Sequence, residues 1–214
     1  MSSLALMRWL EASPQRYDAG MRALTFGRVN RLHRAVVAAA VRKRGDRVLE
    51  IGCGTGSVTA LLARSGARIV AIDQSPEMIE ISKRRISDDV EWHEQTAAEI
   101  DRMPRSTFDA VVLSLCLSDM SPSERRFVLA ESAERLNDDG VLVVADELKA
   151  PGGWRRALQR LWRGPQAALG WLLVGSISSP LSDLAAELRA ANLTIVSEQR
   201  WMFGTLGLLV ARRR

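Results

Sequence analysis

Residues 48–56 constrain the fold of this chain more than any other stretch. They read Val-Leu-Glu-Ile-Gly-Cys-Gly-Thr-Gly, an apolar run that reaches an acidic residue and continues into three alternating glycines. Glycine lacks a Cβ and tolerates positive φ, so such a turn can be tight and a ligand can touch its main chain. A second apolar run ends at Asp73, about twenty residues further on, where nucleotide-binding folds carry the carboxylate that accepts ribose hydroxyls. These features predict a nucleotide-binding turn, with Glu50 placed to receive a ligand's ammonium group.

Strand and helix patterns alternate along most of the chain. Strands are predicted at 47–51, 68–72, 89–93, 108–114 and 140–146, and helices at 57–64, 76–86 and 122–136. Such alternation indicates a parallel sheet with helices on both of its faces. The flanks are predicted as helices at 4–11, 14–25, 29–42 and 180–191, followed by strands at 193–199 and 205–211.

The glycine turn, Asp73 and two later segments together resemble the class I S-adenosylmethionine-dependent methyltransferases. Residues 108–114 resemble the fourth strand of that family, and 136–146 resemble its turn and fifth strand. The NAD fingerprint fits less well, because Gly56 stands one residue earlier than its third glycine. The resemblance implies an α/β, Rossmann-like fold with a seven-stranded, mostly parallel sheet in the order 3-2-1-4-5-7-6. It also implies S-adenosylmethionine as cofactor and S-adenosylhomocysteine as product.

The length of 214 residues predicts one domain, a single methyltransferase domain over residues 1–214, and the resemblance covers it from about residue 45 to the end. Its parts are a helical cap over 1–45, a cofactor-binding core over 46–147, a lid insertion over 148–182, and a C-terminal helix and strands over 183–214. In many relatives, an acidic residue at the position of Ala97 binds the adenine amino group. In this chain, the backbone of Ala98 or the side chain of Glu99 is expected to make that contact instead. The expected cofactor contacts are Tyr17, Glu50, Gly52, Cys53, Gly54, Gly56, Asp73, Gln74, Met78, Ala97, Ala98, Glu99, Ser114 and Leu115. Met78 has core packing as its alternative.

Candidate catalytic residues are few, since methyl transfer from a sulfonium needs mainly an aligned nucleophile and a dry site. Tyr17 is expected either to close over the sulfonium or to pack as an aromatic cap. Asp119 and Asp146 follow the fourth and fifth strands and are candidates to orient or deprotonate an acceptor. Asp119 alternatively caps the turn before Pro122. The two histidines have no companion ligands in the sequence, so no metal site is predicted.

Residues 152–175 form an amphipathic segment without any acidic residue. One helical face carries Trp154, Ala157, Leu158, Leu161 and Trp162, and arginines occupy the other. This pattern is typical both of a lid that covers an apolar acceptor pocket and of a segment that contacts an anionic membrane. Residues 6–21, 117–120 and 145–147 also resemble small methyltransferases encoded beside corrinoid proteins.

Charge and cysteine content indicate which binding partners and which cell compartment are expected. Residues 46–147 carry twenty acidic and eleven basic side chains, whereas 1–45 and 148–175 are strongly basic. No nucleic-acid-binding module accompanies the basic segments, so nucleic acid is not expected. Two cysteines and no recognisable signal peptide favour a cytoplasmic protein, at most peripheral at the inner membrane face.

Three functions follow as hypotheses. The first is an S-adenosylmethionine-dependent methyltransferase that acts on a small, apolar or lipophilic acceptor. The second is a membrane-associated lipid or quinone methyltransferase, and the third is a partner of a corrinoid protein that binds the cofactor with little turnover.

Overall fold

One mixed sheet organises the molecule, and the computed structural model describes it through residues 29–87, 89–149, 152 and 180–214. Its strands in these residues are β1 Arg47–Ile51, β2 Arg68–Asp73, β3 Val90–Glu94, β4 Phe108–Ser114, β5 Leu136–Glu147, β6 Leu193–Trp201 and β7 Leu206–Arg213. The order is β3-β2-β1-β4-β5-β7-β6, and only β7 runs antiparallel to its neighbours. This is the order that the resemblance implies, so the predicted fold class is confirmed.

Helices connect the strands on both faces of the sheet. The described α-helices are α1 Val29–Ala40, α2 Thr59–Arg64, α3 Pro76–Arg85, α4 Pro122–Arg135 and α5 Leu184–Ala190. Short 3-10 helices span Ala97–Arg102, Leu117–Asp119 and Met202–Gly204. The Ser121 hydroxyl accepts the Glu124 N–H at the start of α4, where Pro122 occupies the first turn. Ser121 therefore caps this helix.

The sheet separates two apolar clusters. Because successive side chains of a strand point to opposite faces, Val48 lies in one cluster and Leu49 in the other, and both are fully buried. α1 and α2 cover the face of Val48, whereas α4 and α5 cover the face of Leu49. Near-continuous apolar strands are what a parallel sheet with two covered faces requires.

The last helix begins later than its sequence pattern predicts. The Leu181 N–H donates to the Glu147 carbonyl, and the Lys149 N–H donates to the Leu181 carbonyl, so this part of the chain pairs with the end of β5. The Asp183 carboxylate then accepts the Ala186 N–H at 3.0 Å and starts α5. The prediction of a helix from residue 180 was wrong, because backbone pairing with a distant strand outweighs the local pattern.

Several predicted elements lie outside the described residues. These are the helices at 4–11 and 14–25, Tyr17, and residues 153–175 of the amphipathic segment. The division into cap, core and lid therefore stays a prediction. Within the described part of the chain, every helix is too short or too polar to cross a bilayer.

Candidate active site

A cleft of about 510 Å³ opens where β1 and β4 end. From β1 the chain adds β2 and β3 on one side of the sheet and then β4 and β5 on the other, so the strand order reverses between β1 and β4. Open α/β sheets bind ligands at such a switch point. The described residues that line the cleft are Val29, Asn30, His33, Arg34, Glu50, Gly52, Cys53, Gly54, Thr55, Ser57, Val58, Ala60, Leu61, Arg64, Arg85, Ser114 and Leu115. The predicted glycine turn therefore forms one wall of the cleft.

The three glycines of the turn serve two different needs. Their φ angles are +70° at Gly52, +53° at Gly54 and +75° at Gly56, values that residues with a Cβ rarely adopt. A Cβ on Gly52 would lie 2.9 Å from Cys116 Cβ, and one on Gly56 would lie 2.9 Å from Ile86 Cδ1. A Cβ on Gly54 would meet nothing within 4 Å. The outer glycines thus permit close packing, whereas Gly54 leaves bare main chain facing open space.

Asp73 ends β2 and is held by the main chain on both sides. Its Oδ2 accepts the Gly54 N–H at 2.8 Å, and its Oδ1 accepts the Ser75 N–H at 2.9 Å. The Ser82 hydroxyl of α3 donates to the Gly54 carbonyl at 2.8 Å and fixes the turn from the other side. A carboxylate offers about four acceptor positions, so each oxygen of Asp73 retains one for a ligand.

Two buried polar atoms of the cleft have no partner among the described residues. Glu50 is 2% exposed, and neither its Oε2 nor the buried Ser114 Oγ makes a hydrogen bond there. Burial, together with a smaller effect of the nearby Asp73 charge, raises the pKa of Glu50 to about 8. A buried polar atom without a partner costs about 1–3 kcal/mol. These atoms therefore favour a ligand that brings polar groups, a cationic one above all, into the cleft.

The chain that follows β4 makes a strained turn at the cleft. Leu115 has a φ of +57°, and its N–H donates to the Ala145 carbonyl at 2.7 Å. The Cys116 thiol donates to the Ile51 carbonyl at 3.4 Å. Burial raises the pKa of Cys116, and that of Cys53, well above the usual value of a thiol. Neither cysteine is therefore activated as a nucleophile.

Asp146 lies beneath this turn, at the end of β5. It is 1% exposed; its Oδ2 accepts the Ser118 N–H at 3.1 Å and its Oδ1 accepts the Glu147 N–H at 2.7 Å. Burial raises the pKa of Asp146 to about 6, despite these hydrogen bonds. Asp119 is exposed at the end of the neighbouring 3-10 helix. The two aspartates thus differ, since one supports the turn and the other faces solvent.

The sequence of the chain matches known methyltransferases. A family model described as a methyltransferase domain matches residues 48–140. A phosphatidylethanolamine N-methyltransferase of Cereibacter sphaeroides is 31% identical over 152 residues, which cover 69% of this chain and 73% of that protein. The chain belongs to the class I S-adenosylmethionine-dependent methyltransferases.

Other relatives differ in how much of them the chain covers. A ubiquinone/menaquinone biosynthesis C-methyltransferase of Desulfotalea psychrophila is 26% identical over 219 residues, covering 94% of this chain and 87% of that protein. A demethylmenaquinone methyltransferase of Tropheryma whipplei is 31% identical, but the chain spans only 54% of its length. Among solved structures, the 1,6-didemethyltoxoflavin-N1-methyltransferase of Burkholderia thailandensis has a TM-score of 0.64 at 21% identity, covering 94% and 90% of the two chains. At that identity, the likeness shows the fold alone.

In this methyltransferase, one group of predicted site residues lies apart from the described lining of the cleft. That group is Gln74, Met78, Ala97, Ala98 and Glu99; Gly56 and Asp73 are also absent from the lining, although Asp73 accepts the Gly54 N–H of the turn that forms it. Glu99 accepts the Thr96 N–H at 3.2 Å and forms an ion pair with Arg102, so its carboxylate is engaged in its own turn. Met78 and Ala97 are half-buried, whereas Gln74 and Ala98 are exposed. Their contacts with adenine stay predictions.

Sequence reasoning missed the helical side of the methyltransferase cleft. Its polar members are Asn30, His33, Arg34, Arg64 and Arg85, which come from α1, α2 and α3. No motif marks them, because exposed arginines are common on helices of any function. Only the packing of three helices around one cleft brings them together.

Proposed function

We propose that this methyltransferase moves a methyl group from S-adenosylmethionine to a small, lipophilic acceptor, with the cofactor held where β1 and β4 end. The observation that carries the proposal is the buried Oε2 of Glu50, which has no hydrogen-bond partner among the described residues, beside the bare main chain of Gly54. A carboxyl in that position can receive the ammonium group of the cofactor, and Gly54 leaves room for it. The carboxylate of Asp73 accepts the N–H groups of Gly54 and Ser75 and keeps further acceptor positions for ribose hydroxyls.

The remaining site residues enter the proposal with narrower roles. We assign the methionine moiety to Ser114 and Leu115 beside the main chain of residues 52–56, and the adenine ring to Gln74, Met78 and residues 97–99. The cofactor supplies an electrophilic methyl group on sulfur, so the chain has to align the acceptor and exclude water. Tyr17, Asp119 and Asp146 are proposed for that alignment. Because Asp146 is buried under the turn after β4, it acts there by positioning.

Two relatives support a lipophilic acceptor. One is named for phosphatidylethanolamine and another for ubiquinone or menaquinone biosynthesis. The composition of the tryptophan-rich segment 152–175 is typical both of a lid over an apolar acceptor pocket and of a segment that contacts an anionic membrane. A lipid or quinone methyltransferase at a membrane surface is therefore the second candidate. Docking to a corrinoid protein is the third candidate, and it rests on the sequence resemblance of residues 6–21 and two short segments.

A radiolabelled-methyl assay tests the proposal directly. The purified protein is supplied with labelled S-adenosylmethionine and with a demethylated quinone, phosphatidylethanolamine in vesicles, or a panel of water-soluble amines and phenols. We expect label in a lipophilic product and a loss of that label with Glu50→Gln, but not with Glu91→Gln at an exposed position of β3. Label confined to water-soluble acceptors would contradict the proposal.

A further inference from the structure

The candidate cleft is lined by more positive than negative side chains, and its cofactor is itself cationic. Arg34, Arg64 and Arg85 line it from three different helices, whereas Glu50 is the one acidic residue in its described lining. S-adenosylmethionine adds a sulfonium and an ammonium against a single carboxylate. Arg34 and Arg64 form no ion pair with the described residues, so the cleft keeps an excess of positive charge. Like charges confined in one cleft repel each other, so a second, anionic ligand would relieve this excess.

Two of these arginines have donors available for such a ligand. The Arg34 Nε donates to the Asn30 carbonyl at 3.2 Å, which leaves its two Nη groups outside that bond. The side chain of Arg64, which also lines the cleft, makes no hydrogen bond or ion pair with the described residues. Both side chains are exposed, and their helices α1 and α2 pack against each other. The planar fork of a guanidinium matches the oxygens of a phosphate, to which arginine binds in bidentate fashion.

We propose that the methyl acceptor carries a phosphate group and that Arg34 and Arg64, with Arg85 beside them, form a cationic rim that binds it. The inference rests on the proposed function, because it places the acceptor in the same cleft as the cofactor. A lipophilic acceptor with a phosphate is an amphiphile, whose apolar part can lie against Val29, Val58 and Leu61 of the cleft. The phosphate belongs either to a lipid headgroup or to a soluble phosphate ester.

Charge-matched double variants test the rim. Arg34→Gln with Arg64→Gln removes two rim charges, and Arg31→Gln with Arg84→Gln removes two exposed charges of α1 and α3 that do not line the cleft. Calorimetry follows glycerol 3-phosphate binding to the full chain saturated with S-adenosylhomocysteine. Since hydrogen bonds to charged groups are worth more than neutral ones, the rim variant is expected to bind at least about tenfold more weakly and the control within about twofold.

A second arm separates the two sources of phosphate. The same proteins are sedimented with vesicles of phosphatidylcholine containing phosphatidylethanolamine, and with micelles of an uncharged detergent. Binding to the vesicles that needs the rim, with no binding of glycerol 3-phosphate, supports a lipid headgroup. Binding of glycerol 3-phosphate that needs the rim supports a soluble ester. Equal binding by the rim and control variants in both assays overturns the inference.

Other outcomes distinguish this inference from the proposed function. If the rim variant loses affinity for S-adenosylhomocysteine while phosphate binding is unchanged, the rim serves the carboxylate of the cofactor and the inference is wrong. If the wild type methylates an uncharged quinone and neither phosphate ester nor vesicle binding needs the rim, the proposed function stands and the inference fails. If phosphate binding needs the rim but no lipophilic compound is methylated, the phosphate site stands and the proposed function fails.

Discussion

Glu50 shows what burial does to one side chain at the candidate active site. Its position near the end of an apolar strand is visible in the sequence, and the sequence pattern predicts that it receives a ligand's ammonium group. Its pKa of about 8 is not visible there, because that value depends on the atoms packed around the carboxyl and on the charge of Asp73. The link between Asp73 and the Gly54 N–H is equally hidden, since the spacing of the two residues fits many hydrogen-bond patterns.

The cofactor-free protein should lose stability as the pH rises through the range set by Glu50. The pKa of this carboxyl is raised on folding from 4.5 to about 8, so the folded state favours the protonated form. Its stabilising contribution is complete below about pH 4.5 and declines by at most about 1.4 kcal/mol per pH unit until about pH 8. Glu50→Gln should flatten that slope and unfold at higher urea concentration than the wild type at pH 8. A variant with the wild-type slope would show that Glu50 does not titrate in this range.

Binding of S-adenosylmethionine should release a proton near pH 7. An ammonium group beside Glu50 favours the ionised carboxyl, so a group that is largely protonated in the free protein gives up its proton on binding. Calorimetry in buffers of different ionisation enthalpy measures the number released, and we expect a value approaching one. Glu50→Gln should release none and bind at least about tenfold more weakly, because a charged hydrogen bond is lost. Identical proton release in wild type and variant would contradict the ammonium contact.

At the scale of elements, the alternation of strands and helices predicts most of the fold. Strands β1 to β4 appear where the apolar runs predict them, within one or two residues. The start of α5 does not, since it depends on the pairing of Leu181 with Leu148, two residues far apart in the sequence. The 3-10 helices were also missed, because three to six residues carry too little periodicity to be recognised.

The glycine turn yields a prediction for a matched pair of substitutions. Gly52→Ala places a Cβ 2.9 Å from Cys116 Cβ, and Gly54→Ala places one in open space, at φ angles of +70° and +53°. The left-handed backbone costs both variants about 1–2 kcal/mol, but Gly52→Ala adds a clash in the packed turn. We therefore expect a clearly lower melting temperature for Gly52→Ala. Gly54→Ala should instead stay folded and lose affinity for S-adenosylmethionine.

Thermal unfolding and calorimetry on both glycine variants distinguish packing from binding. If Gly54 faces the cofactor, its substitution changes the dissociation constant much more than the melting temperature. If both variants lost stability equally and Gly54→Ala bound the cofactor as the wild type does, the open face of the turn would have no part in binding.

At the scale of the whole molecule, charge is divided between the core and its flanks. Residues 46–147 carry an excess of acidic side chains, whereas 148–175 carry five basic side chains and no acidic one. The acidic part contains strands β1 to β5, so it is the basic segment that can attract an anionic surface.

We expect the full chain to co-sediment with vesicles that contain phosphatidylglycerol and to be released as the salt concentration rises, because screening weakens contacts between exposed charges. Arg155→Glu with Arg156→Glu should abolish sedimentation, whereas Arg31→Glu with Arg84→Glu, which changes the net charge equally, should not. Methylation of a short-chain, dissolved acceptor should remain at the wild-type rate in the first variant, since only access to the membrane is lost. If that rate falls as steeply as sedimentation does, the segment acts on the acceptor pocket itself, and its arginines serve a lid rather than a membrane anchor.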